Sequence, residues 1–310
     1  MTHLPIEPTP ITRLEYFSSK LGVNISCKRD DLFGAAGGGS KARMLQYILA
    51  EVSRDNCDVL VTAGGPCSNF NRACALMCAQ VGVQMHLVEY TDNIEEFDKS
   101  LNYKLCKLAG VRTTRCLKSN VPETIASVID SYASQKIKFV YGGGKSIEGF
   151  YSYYEAVKEL FEQGVSLDYI FVACGTGTTL TGICAGMQKY YPGAKVYDIS
   201  VARYNEDEIP VLLENMKLLN TYLNSDYDFS NLIFCDRYIG EGYGRYNVDL
   251  VDLIRECASN EGVLLDPTYS GKAFYGMNLI IQEDPKFLNK DVLFWNTGGI
   301  FNLLSEIKSW

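Results

Sequence analysis

The chain has 310 residues, with 29 Lys and Arg against 37 Asp and Glu, for a formal charge of −8. At about 150 residues per domain this length suggests two domains, and 47% apolar with 21% charged residues describes a globular chain with a sizeable core, not a disordered one. The acidic balance argues against nucleic acid or an anionic membrane as partner. No run of about 18 apolar residues offers a membrane span, and the start, MTHLPIEPTPITRLEYF, lacks the basic-then-apolar order of a secretory signal.

Eleven cysteines are scattered without a C-x-x-C pair, a usage that suits free thiols in a reducing cytosol. Cys74 and Cys78 lie one helical turn apart and read as core residues. The only histidines are His3 and His86, so a His-rich zinc site is excluded and no metal is expected. A Ser-His-Asp triad would have to use His86. That residue sits in QMHLVEY, which alternates like a strand, and reads as structural.

In chain order, ISCKRD (25–30) reads as a short strand, and KARMLQYILAEVSRD (41–55) as a helix, with Met44, Leu45, Ile48 and Leu49 at helical spacing. VLVTAG (59–64) has the pattern of a buried strand and is followed by a helix near NRACALMCAQVG. QMHLVEY is a strand, IEEFDKSLNYKLCKLAG a helix, VRTTRC a strand, VPETIASVIDSYASQ a helix, and KFVYG (138–142) a strand. Then follow the helix EGFYSYYEAVKELFEQ, the strand DYIFVAC (168–174), the helix TLTGICAGMQKYY and the strand KVYDISVAR. NSDYDFSN (224–231) is the most loop-like tract.

Alternation of this kind gives parallel α/β sheets. The expected fold is α/β with two parallel-sheet three-layer domains. Residues 47–153 make the small α/β domain, and 1–46 join 154–310 in the large one.

Three glycine loops carry the chemistry. In YGGGKS (141–146) the residue where a nucleotide-binding P-loop needs its first glycine is Phe139, so that motif fails. In Cys174-Gly175-Thr176-Gly177-Thr178-Thr179 the dinucleotide fingerprint fails at Leu180. This loop still joins a strand to a helix. Its backbone N–H groups and threonine hydroxyls form a cup for a terminal phosphate, or else an ordinary glycine turn. Gly37-Gly38-Gly39-Ser40 puts Lys41 at a helix start. The positive end of a helix disfavours a cation and lowers an amine pKa, as a Schiff-base lysine requires; the alternative is a solvated surface lysine.

The ordered series KRDDL, GGGSKAR, TAGGPCSN, YGGGKSIEG, ACGTGTT, IGEGYG, LLDPTYSGKA and WNTGG resembles the D-cysteine desulfhydrase and 1-aminocyclopropane-1-carboxylate deaminase family. These are pyridoxal-phosphate enzymes of the tryptophan-synthase-β type, fold type II. The resemblance covers residues about 5 to 305 and implies pyridoxal 5'-phosphate as cofactor, bound by the large domain. It makes Lys41 the Schiff-base lysine and the base for the substrate Cα proton, with Ser68 a second candidate base or hydrogen-bond donor. Gly175, Thr176, Gly177, Thr178 and Thr179 become the phosphate cup. Asn69 lies against the cofactor ring and Thr297 near its pyridine nitrogen. Cys67, Ser68 and Asn69 flank the substrate carboxylate, and Tyr269 faces the substrate as a catalytic residue. Tyr243 and Ser270 are further candidates for the substrate pocket, with packing as the alternative for Tyr243 and Cys67.

The sequence departs from the family pattern at four places. Ser40 replaces Asn, Cys67 replaces Gln, and Phe70 replaces a polar residue near the expected carboxylate. After the tyrosine, Ser270 stands where deaminases have Glu and desulfhydrases Thr. Neutral Ser270 and Thr297 near the ring nitrogen make a weaker electron sink than a carboxylate does. That favours prompt β-elimination over opening of a cyclopropane ring. Lys145, Glu148 and Lys272 read as solvated.

The resemblance therefore implies a lyase that takes D-cysteine or a related β-substituted alanine to pyruvate and ammonia. Alternatives are a β-replacement synthase or amino-acid racemase on the same cofactor, the cyclopropane acid deaminase, and a non-catalytic binding protein of this fold. A cytoplasmic homodimer is expected.

Overall fold

The computed structural model describes residues 8–93, 97 and 99–310. Its frame is two sheets. The larger has the order β1 (Ile11–Arg13), β2 (Asn24–Arg29), β10 (Asp291–Asn296), β7 (Tyr169–Cys174), β8 (Lys195–Ser200) and β9 (Leu232–Cys235). The smaller has the order β5 (Arg112–Cys116), β4 (Gln84–Tyr90), β3 (Val59–Gly64) and β6 (Ile137–Val140). All pairs are parallel except β1 with β2. The parallel α/β sheets are as expected, with one antiparallel pair at the edge, where Leu14 and the short helix α1 (Glu15–Leu21) turn the chain straight back onto its neighbour. β3 and β7 are apolar runs buried along almost their whole length, as strands covered on both faces must be.

The connecting helices are α2 (Ser40–Arg54), α3 (Asn69–Val81), α4 (Leu101–Leu108), α5 (Val121–Asp130), α6 (Ile147–Glu162), α7 (Thr178–Tyr190) and α8 (Asn205–Leu223). Three more follow, α9 (Val248–Glu261), α10 (Ser270–Glu283) and α11 (Ile300–Glu306). In α2 the helical-spacing residues Met44, Leu45, Ile48, Leu49 and Val52 are all buried. Each contributes roughly 1.5–3 kcal/mol of apolar transfer. Ser68 caps α3 by accepting the Asn71 N–H, and Gly82 ends it at φ 75°. The helix expected over 94–110 is observed as Leu101–Leu108; residues 94–96 and 98 lie outside the described residues.

A division at 46/47 and 153/154 remains a proposal, since both points fall inside continuous helices, α2 and α6. His86 is buried with both ring nitrogens engaged, at 2.9 Å from the Tyr132 and Thr114 hydroxyls. All eleven cysteines are free.

Strand ends decide where the site lies. The segments after β2, β3, β6, β7 and β10 all leave the carboxyl edges of parallel strands, where α/β sheets place their ligand clefts. Those five segments carry Gly39 to Lys41, Asn69, Gly143, Gly175 to Thr179, and Thr297 to Gly299, and all of them line one cavity.

Candidate active site

Lys41 is the second residue of α2, behind an N-terminus that no side chain caps. Its Nζ donates to the Gly143 carbonyl at 3.0 Å and lies 3.8 Å from Met44 Sδ. No carboxylate meets it among the described residues. Burial of the amine end lowers its pKa to about 8, because desolvation penalises the charged form. The result is an amine far easier to deprotonate than an ordinary lysine, with an appreciable neutral, nucleophilic fraction near physiological pH.

Across the cavity, β7 ends at Cys174 and α7 begins at Thr178, with Gly177 between them at φ 71°. A Cβ at position 177 would stand 2.6 Å from the Leu212 side chain, so only glycine fits this corner. No side chain caps α7, which leaves the first-turn N–H groups for an anion. Thr176 and Thr178 hold their hydroxyls 3.2 Å apart beside them. Thr297 closes another side, its carbonyl accepting the Ser40 N–H at 2.9 Å. No Asp or Glu is among the residues lining the cavity.

Asn69 lines the cavity and is held from behind by Asn102, whose amide nitrogen lies 3.1 Å from Asn69 Oδ1, 3.2 Å from the Cys67 carbonyl and 2.8 Å from Asn302 Oδ1. Tyr269 also lines it, and its hydroxyl is 2.6 Å from that of Tyr243. Although 48% of Tyr243 is exposed, its hydroxyl is turned onto that of Tyr269, and desolvation at that end pushes the phenol up to about 12. Burial likewise holds the Tyr269 phenol well above its ordinary value, so both are protonated donors at neutral pH.

Lys41, Asn69, Gly175 to Thr179, Tyr269 and Thr297 thus come together around one cavity. Ser68, Cys67 and Tyr243 adjoin it without lining it; Cys67 is exposed and Ser68 half-buried.

Ser270 is placed differently from expectation. It is fully buried, donates its hydroxyl to Asp266 Oδ1 at 2.8 Å, accepts the Asp266 N–H at 2.8 Å, and stands off the cavity wall. Its hydrogen-bonding capacity is taken by Asp266. That carboxyl is raised to about 6 by burial, partly offset by donors from Ser270, Tyr269 and Thr268. Phe70 packs fully buried in the core and does not reach the cavity. Lys272 is buried rather than solvated, donating at 2.7 Å to both the Ile239 and Gly242 carbonyls. Lys145 and Glu148 pair with Glu214 and Lys138.

Two contributors went unread in the sequence, Arg72 and Asn102. Arg72 lies on the wall three residues after Asn69, a spacing that puts both on one helix face. Among the described residues no group of three or more His, Cys, Asp or Glu is arranged for a metal, and no helix is long and apolar enough to cross a membrane.

A readily deprotonated amine facing an anion cup in one cavity is what a phosphorylated aldehyde requires, so the class is that of enzymes holding such a cofactor at the strand ends of two α/β sheets. Known proteins make the assignment particular. The model of the family described as pyridoxal-phosphate dependent enzyme matches residues 2–298, and the chain belongs to that family. Its cofactor is pyridoxal 5'-phosphate and its fold is type II. A putative 1-aminocyclopropane-1-carboxylate deaminase of Thermotoga maritima is 31% identical over 98% of this chain and 97% of its own. A D-cysteine desulfhydrase of Yersinia pestis is 31% identical over 94% of this chain and 91% of its own. A solved structure of an ACC deaminase homologue is 30% identical, with a TM-score of 0.89 over 100% of this chain and 94% of that one. The serine racemase of Dictyostelium discoideum, at 16% identity and a TM-score of 0.71 over 95% of this chain and 93% of that one, shares the fold.

Proposed function

We propose that the protein is a lyase catalysing β-elimination on D-cysteine or a related β-substituted alanine, with release of pyruvate, ammonia and the protonated leaving group. The observation that carries this reading is the Lys41 amine, desolvated and met by a carbonyl and a thioether but no carboxylate, in the cavity that also bears the uncapped start of α7. Lys41 would hold the cofactor covalently, Gly175 to Thr179 its phosphate, Asn69 its ring face and Thr297 its nitrogen side. When bound, the cofactor draws electrons from the substrate Cα and makes its proton acidic.

Lys41 takes that proton, because its pKa of about 8 matches the working range of a general base. The Ser68 hydroxyl accepts the Asn71 N–H, which leaves its own proton to donate toward the substrate. Tyr269, backed by Tyr243, offers a neutral hydroxyl to the departing group. Cys67 borders the carboxylate side of the pocket. The absence of Asp and Glu from the lining supports elimination over ring opening, since no carboxylate touches the cofactor cavity. Free thiols support a reducing, cytoplasmic setting, and a homodimer is carried over from the family resemblance alone.

Product analysis tests the reading. D- and L-cysteine and β-chloroalanine should give pyruvate and ammonia in equal amounts. A new amino acid would mean replacement, loss of optical rotation racemisation, and 2-oxobutyrate from the cyclopropane acid deamination.

A further inference from the structure

The cavity wall carries a second cation that the lyase reading leaves without a task. Arg72, in α3, is 2% exposed and lines the same cavity as Lys41 and Asn69. Its guanidinium carbon lies 4.6 Å from the Phe301 ring centre, and Nη1 donates to the Ala36 carbonyl. Nε has no partner, and no carboxylate reaches the group among the described residues. Desolvation lowers its pKa to about 10, so it still carries its charge at neutral pH.

The space around it is built. A Cβ at Gly37, where φ is +76°, would stand 2.6 Å from the Phe301 ring and 3.0 Å from Arg72 Nη1. Its neighbours Ala36, Gly37 and Phe301 set this group beside the loops after β2 and β10, on different strand ends from the cup at 175–179. A buried guanidinium without an anion is costly to keep, and its planar fork matches the two oxygens of a carboxylate or sulfonate.

We infer that Arg72 is a specificity-determining residue of the substrate site, and that its guanidinium receives an acidic group of the amino acid, either the α-carboxylate or a second acid at Cβ. The inference rests on the lyase reading for the class of ligand.

The test titrates the cofactor-loaded protein with alanine, cysteate and ethylamine, following the visible absorbance that amine binding shifts, in wild type, Arg72→Gln and Arg72→Lys. Wild type should bind the acids at least about tenfold tighter than ethylamine. Arg72→Gln should weaken acid binding by about 10- to 100-fold, the range for a hydrogen bond to a charged group, and leave ethylamine unchanged. Arg72→Lys should fall between them, which keeps the test open if the glutamine variant misfolds. Equal losses for alanine and cysteate assign the α-carboxylate; a loss confined to cysteate assigns the Cβ acid.

Acid affinities in both variants within twofold of wild type, or no preference of wild type for acids over ethylamine, overturn the inference. Binding of none of the three by wild type overturns it too. Pyruvate formation from D-cysteine is scored separately. Arg72-dependent binding without pyruvate removes the lyase reading and leaves the anion site standing.

Discussion

Lys41 and Arg43 stand two residues apart on α2 and differ in what meets them. Arg43 is 4% exposed, and its guanidinium contacts Asp30 Oδ1 and Glu159 Oε2, each at 2.8 Å. Asp30 also receives the Thr9 and Tyr153 hydroxyls at 2.8 and 2.7 Å and the Trp295 indole N–H at 2.9 Å. Fully buried Lys28 completes the cluster through Glu159, the Thr9 carbonyl at 2.8 Å and Gln163 at 2.7 Å. Burial alone would raise the Asp30 carboxyl, but Arg43, Tyr153 and Trp295 outweigh it and hold it below its ordinary value. On the other face of the same helix the Lys41 amine finds one carbonyl and no anion. A saturated buried network ties β2, α2, α6 and β10 together, while the unsaturated amine beside it stays available for reaction. The network holds the helix, and the helix aims the lysine.

The contrast breaks most sharply at Lys41. Lys41→Ala should abolish turnover and the visible absorbance of the loaded protein, while cofactor-free protein melts no lower than wild type, because the lost group has no salt bridge. Retained turnover would move the base elsewhere. The same amine sets a pH dependence. Its pKa lies near 8 instead of the ordinary 10.5, and only the neutral form attacks an aldehyde. Cofactor uptake by cofactor-free protein, followed by absorbance, should therefore rise with pH, level off above about 8, and fall about tenfold per unit below 7. A midpoint above 10 would show a solvated lysine and erase the difference between the two faces.

Arg43→Ala should do the reverse. Removing one partner of a buried ion pair leaves Asp30 short of its counter-charge, with an expected cost of about 3–5 kcal/mol in urea unfolding. Activity per folded molecule should persist, since Arg43 does not line the cavity. An unchanged unfolding midpoint would mean that the network does not hold α2.

The two faces were not equally legible in the sequence. Lys41 and the 175–179 cup announce themselves because their chemistry is local: glycines, hydroxyls and an amine within one loop. The ion network was silent, because Asp30, Glu159 and Trp295 meet only through the sheet. Arg72 sits at a readable spacing from Asn69, but its lack of an anion is a property of Phe301 and Ala36 packing around it. Lys272 looks solvated by residue type and is instead a buried anchor for the 239–242 carbonyls. The helix α9 carried readable ends, an Asn247 cap and Gly262 at φ 65°. α8 hides behind Pro210 within the helix, a residue that normally argues against one.

Ser270 gives the smallest and most discriminating test, because it separates a residue that touches the cofactor from one that supports the wall. Its hydroxyl is one of the donors holding the buried Asp266 carboxylate, whose pKa of about 6 stands above the ordinary 3.8. A raised carboxyl contributes stability that is full below the unfolded value and is lost as pH climbs through the folded one. Ser270→Ala removes a hydrogen bond to the charged form and pushes that folded value higher. Stability should then fall by about 1–3 kcal/mol at pH 7 and by much less near pH 4, as thermal unfolding at the two pH values will report. Because the hydroxyl points at Asp266 and not at the cavity, the visible spectrum of the loaded variant should match wild type and kcat should stay within a few-fold. A displaced absorbance band with an unchanged melting temperature would put the hydroxyl against the cofactor ring, and Asp266 would then be a proton-tuning group behind it instead of a brace for the loop that carries Tyr269.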